Sequence, residues 1–162
     1  MNKPLLLLFV ASSLLACSAW STAAPVRPVV TPGGAPPPDA ARICVARTSH
    51  LAQAVAFPTW DNRVLVGATK GPTHFCWLAA PGAHELTMKA DNDANASIVV
   101  EAGRDYVLEQ KLEFVFGIVN VRPAWVSPER AAQLFADSDY EVLESVPADQ
   151  RLPEPTTVVP AK

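Results

Sequence analysis

Between residues 42 and 143 the apolar positions recur mostly at every second residue, the spacing at which side chains of an extended strand return to one face. Arg42-Ile43-Cys44-Val45-Ala46-Arg47 sets β-branched residues between charged ends and predicts a strand. Val64-Leu65-Val66, bounded by turn signals at Asp61-Asn62 and Lys70-Gly71-Pro72, predicts another. Thr73–Leu78 is apolar or aromatic on both faces, as a central strand is. Ala80-Pro81-Gly82-Ala83 then predicts a type II turn, because Pro81 presets φ and Gly82 accepts a positive one. That turn leads as a hairpin into His84, Leu86 and Met88, which alternate with Glu85, Thr87 and Lys89.

A polar loop is expected over Asp91–Asn95, a strand over Ile98–Glu101 and a turn at Gly103. In the strand that follows, Tyr106, Leu108 and Leu112 face away from Val107, Glu109, Lys111 and Glu113. Phe114–Val119 is apolar without alternation. It predicts a buried strand or a loop folded over the core; the second reading is an exposed patch of Phe114, Phe116 and Ile118 for a lipid surface or a protein partner. One helix is expected near the end, with Ser127 as N-cap, Pro128 in the first turn and Glu129 at the positive end of the dipole. The pattern predicts a mainly β fold, an antiparallel β-sandwich of about seven short strands with one short C-terminal helix.

The ends read differently. The chain has 162 residues and 16 prolines, and most of these lie outside the alternating region. Met1-Asn2-Lys3 followed by an apolar run of about a dozen residues has the form of a secretory leader and is too short to span a bilayer. Leu14-Leu15-Ala16-Cys17 resembles the bacterial lipobox, in which the cysteine thiol receives a diacylglyceryl group before the leader is cut away. Leu15 departs from that pattern, which more often has a smaller residue there. The other reading is an ordinary leader cut after Ala19 or Ala23. The expected organisation is a lipoprotein leader over 1–16, a lipid-anchored Pro/Ala/Gly-rich tether over 17–41, the β domain over 42–143 and a Pro-rich tail over 144–162. The formal net charge of -3 argues against nucleic acid as a partner and against a polybasic membrane patch.

Chemistry concentrates in Thr73–Met88, where His74, Cys76 and His84 lie close in sequence. A thiol nucleophile needs a base within reach, and zinc needs three or four ligands. No CxxC or HxxxH spacing supports either. Cys44 and Cys76 are the only cysteines beyond Cys17, and an even number in an exported chain predicts a disulfide. The histidines then have structural places, and no metal, cofactor or catalytic residue is expected. The alternative is a periplasmic thiol or metal-dependent protein using Cys76 with His74 or His84.

The lipobox, the Pro-rich spacer, Pro81-Gly82-Ala83-His84 and Glu101-Ala102-Gly103-Arg104-Asp105-Tyr106 together resemble a family of small bacterial lipoproteins whose folded part is a domain of unknown function. The likeness covers roughly residues 41–143, and Pro81, Gly82 and Gly103 are its structural turns. It implies a β-sandwich module, similar to those appended to envelope and surface proteins, and brings no catalytic residue. It also implies an envelope address, and Ser18 after the cysteine, in place of an aspartate, resembles the sorting pattern for the periplasmic face of the outer membrane. The expected partners are the membrane itself, through the anchor, and peptidoglycan or another envelope protein.

Overall fold

The computed structural model describes Pro32–Val142, a mainly β unit of two sheets with one short helix. Its elements run β1 (Ala41–Ala46), β2 (Ala56–Asp61), β3 (Val64–Lys70), β4 (Thr73–Ala79), β5 (Gly82–Lys89), β6 (Asp93–Val100), β7 (Asp105–Val115), β8 (Ile118–Trp125), α1 (Pro128–Ala136) and β9 (Asp139–Tyr140). One sheet has the order β8-β7-β1-β4-β9 and the other β3-β2-β5-β6. The leader, Cys17, the first part of the tether and the tail lie outside the described residues.

Two expectations are corrected here. The described strands number nine instead of about seven, and the arrangement is mixed instead of antiparallel, since β1 pairs parallel with β7 and β4 parallel with β9. Pro81-Gly82 is also not a hairpin turn. It carries the chain from β4 in one sheet to β5 in the other, with Gly82 at φ 134°. The reason is competition for partners. β4 is held along its length by β1, while β5 pairs with β6 over its whole length and with the end of β2. True hairpins are β2–β3, β5–β6 and β7–β8.

Alternation along β1 and β4 divides their side chains between two apolar clusters. Ile43, Val45, Phe75 and Trp77 turn inward and meet Val66, Leu86, Met88 and Val100 of the facing sheet. Cys44, Ala46 and Cys76 turn outward, where Ala131 and Leu134 of α1 cover them together with Val107. Both strands are therefore buried on both faces, which accounts for the apolar character of Thr73–Leu78. Packing between sheets is close at one glycine: a β-carbon at Gly67 would lie 2.4 Å from the Phe75 ring, so the ring fills the space that any other side chain would need.

The helix forms where its capping signals place it. The Ser127 hydroxyl accepts a hydrogen bond from the Arg130 backbone N–H, Pro128 stands in the first turn, and Arg130 donates to Glu109 of β7 at 2.6 Å. Asn62 and Arg63 have positive φ at the β2–β3 turn, as do Gly71 and Gly103 at theirs. No helix among the described residues is long and apolar enough to cross a membrane.

Candidate functional site

β4 carries two of the reactive side chains, and its pleat sends both to the face that α1 covers. Cys76 stands directly across from Cys44 in the antiparallel β1–β4 register, and the two form a disulfide with Cα atoms 4.0 Å apart. Both are buried beneath α1. His74, two residues earlier on the same face, sits under the end of the helix, with its ring 4.8 Å from that of Phe135. The Ser138 hydroxyl donates to the Leu134 carbonyl, so toward the His74 Nδ1, 2.9 Å away, it offers a lone pair. Nδ1 therefore carries the imidazole proton and donates it.

Burial holds the His74 pKa below its ordinary value of 6.5, outweighing the hydrogen bond at Ser138 and the nearby Asp139 carboxylate, which act the other way. The native state thus takes up this proton less readily than the unfolded chain. The stabilisation is complete above the ordinary value and is lost as pH falls below it. Urea unfolding is expected to show a midpoint that falls between about pH 7.5 and 5.5, with a smaller fall in His74→Gln. Equal falls in the two proteins would remove His74 from the account.

His84 lies elsewhere, on β5 and facing the inside. Its Nδ1 is 2.7 Å from Asp61 Oδ1 and its Nε2 is 2.8 Å from the Ala80 carbonyl oxygen. Trp77 donates from its indole nitrogen to the other Asp61 oxygen at 3.0 Å. Both nitrogens of the ring thus face oxygen atoms of the chain. The Thr73–Met88 cluster is thus dispersed. Its cysteine is bonded to Cys44, and its two histidines occupy separate polar networks. Among the described residues no three side chains of His, Cys, Asp and Glu come together as a metal site.

Three polar residues gain importance that their positions in the sequence do not signal. Asp61, expected at a turn, is buried at the centre of the His84–Trp77 network. Arg42 and Arg47, the charged ends of the strand expected over Arg42–Arg47, are both buried. Arg47 donates to the carbonyl oxygens of Ser49 and Leu51 and lies over the Phe57 ring, and burial pushes its pKa down to about 10. Arg42 makes a bidentate pair with Asp105 at 2.6 and 2.9 Å and donates to the Gly33 and Gly34 carbonyls at 2.8 Å each. Those two glycines fall within the expected tether, so its last stretch is fastened to the β domain.

Two surface features remain as candidates for recognition. One is a groove of about 610 Å³ between α1 and the sheet, lined chiefly by Tyr106, Val107, Trp125, Ala131 and Phe135, with the Arg42–Asp105 pair at its edge. The polar atoms of that edge and of Tyr106 and Trp125 already have partners within the chain.

The other is the β7–β8 tip. Phe114 is 63 % exposed, Val115 40 %, Phe116 99 % and Ile118 48 %. The apolar run Phe114–Val119 is therefore a strand end, a two-residue turn and a strand start, which explains why it does not alternate. Phe116 and Gly117 have φ of 50° and 85°, the left-handed pair of a tight hairpin turn in which asparagine normally precedes glycine. A phenylalanine in that conformation costs about 1–2 kcal/mol relative to a residue at ease there. No protein-family model, no curated protein and no solved structure matches this chain.

Proposed function

We propose that this chain is a non-catalytic lipoprotein of the bacterial envelope, anchored through Cys17 and carrying a β-sandwich module that binds an envelope component. The observation that carries this reading is the contrast between spent chemistry and offered surface. The side chains an enzyme would use, Cys76, His74 and His84, are engaged in a disulfide and in buried hydrogen bonds. The side chains the module presents are the apolar ones of the β7–β8 tip. The lipobox-like Leu14-Leu15-Ala16-Cys17 and the likeness to small bacterial lipoproteins support the address, with peptidoglycan, another envelope protein or the membrane itself as partner. The alternative, a periplasmic thiol or metal protein built on Cys76 with His74 or His84, is disfavoured by the same contrast.

Intact mass of the protein from bacterial membranes, measured without reductant, tests this reading. The expected species begins at Cys17, carries diacylglyceryl mass and lacks two hydrogens relative to its dithiol form. A chain beginning after Ala19 or Ala23, with two thiols open to alkylation, sinks the proposal and returns attention to Cys76.

A further inference from the structure

We propose that the β7–β8 tip is a lipid-inserting finger: Phe114, Val115, Phe116 and Ile118 enter the acyl boundary of a bilayer. This deepens the envelope reading and rests on it for one point, the delivery of the domain to a membrane surface.

Shape argues for lipid over protein. In the β7–β8 register Val115 stands opposite Ile118, and Phe114 opposite Val119, and the pleat sends these two pairs to opposite faces of the hairpin. Apolar side chains thus project from both faces of the tip, whose β8 edge is joined at Val119 by the Asp91 carboxylate at 2.7 Å, and an acyl medium meets both faces at once, whereas a protein groove or a second sheet would cover one. The turn points the same way. Phe116 is fully in solvent and in a backbone conformation that asparagine or glycine would adopt more easily.

Charge and length agree. Below the apolar tip stands a polar belt: Glu113 opposite Asn120, and Lys111 opposite Arg122. Arg122 pairs with Glu113 at 2.8 Å and Lys111 with Glu109 at 3.6 Å, and Asp91, which accepts from the Val119 N–H, adds one carboxylate, so the belt has little net charge for a charged partner to select. From that belt to the turn is about three residues, or roughly 10 Å of strand, against an interfacial burial depth of about 5–10 Å. The belt then sits among headgroups while the tip is immersed.

Reach is sufficient as well. β7 runs from Asp105, beside the Gly33–Gly34 fastening, to Val115 at the tip, about 34 Å away. The ~15 residues between Cys17 and Pro32 span at most about 50 Å. A domain held at Cys17 can therefore lay this finger on the same bilayer.

Tryptophan placed at the tip reads the depth directly. The full chain purified from membranes is prepared as Phe116→Trp and as the control Val99→Trp, an exposed position at the other end of the module. Each is mixed with phosphatidylethanolamine–phosphatidylglycerol vesicles with and without brominated acyl chains, and its emission is compared with that of the wild type. The added emission of F116W is expected to shift to the blue and to be largely lost in brominated vesicles, while that of V99W is unchanged. F116W emission that is the same in both kinds of vesicle overturns the finger and points to a protein partner. Intact mass of the same samples separates the two readings. Diacylglyceryl mass without quenching leaves the anchor and removes the finger; quenching without that mass keeps the finger and removes the anchor.

Discussion

Asp61→Ala is expected to unfold in urea with about 3–5 kcal/mol less stability than the wild type. The carboxylate is 1 % exposed and receives the Trp77 indole and the His84 ring on its two oxygens. Alanine removes both acceptors and leaves those buried donors without them, and each unmade bond costs about 1–3 kcal/mol. Against a typical total of about 5–15 kcal/mol, that is a large share of what holds a small domain folded. Asparagine offers a useful contrast. Its carbonyl oxygen can take the Trp77 donor, and its amide can donate to His84 Nδ1 while Nε2–H keeps the Ala80 carbonyl. Asp61→Asn should therefore cost only about 1 kcal/mol. Equal midpoints for the two variants would show that the charge of Asp61, and not the hydrogen bonds or packing that an amide retains, is what it contributes.

The second large effect belongs to the disulfide. Cys44 and Cys76 are 32 residues apart in sequence, and closing such a loop removes unfolded-state entropy equivalent to about 3.5–4 kcal/mol. Cys44→Ala with Cys76→Ala is expected to lower stability by about that amount, plus a small packing loss beneath α1. Reduction of the wild type in denaturant should reproduce most of the shift. Without denaturant the bridge should resist reduction and alkylation, because both sulfurs lie under the helix. Identical urea midpoints with and without reductant would refute the assignment of stability to this bridge.

Legibility in the sequence followed how local each signal was. Ser127-Pro128-Glu129 marks a helix start through contacts within one turn, and the helix starts there. Gly103 marks a tight turn for the same reason. β2 escaped notice because Pro58 interrupts it. That proline lies outside Thr59–Asp61, the stretch that pairs on both sides, so its missing N–H is tolerated. β8 escaped likewise, with Pro123 on an edge strand. Asp93–Asn95, expected as a loop, extends because β5 offers it a complete ladder. Parallel pairing of β1 with β7 is a long-range choice that no local pattern records. The site divides along the same line. The cysteine pair was readable by counting, whereas Asp61 required knowing that Trp77 and His84 converge from different strands. For Phe114–Val119 the composition announced something unusual, and only the hairpin geometry decided between buried and exposed.

The parallel seam between β1 and β7 has a consequence for the order of events as the chain emerges from its N-terminus. The strand β1 is made first, yet Arg42 must wait 63 residues for Asp105. The sheet β3-β2-β5-β6 involves much shorter separations and can assemble meanwhile, since loop closure favours near neighbours. Cys76 reaches Cys44 well before Asp105 arrives, so oxidation can secure β1 to β4 while one edge of β1 is still vacant. In that interval the unpaired edge of β1 is open to any passing strand, and a sulfur bridge that holds β1 in register shortens the time for which its own partner must compete.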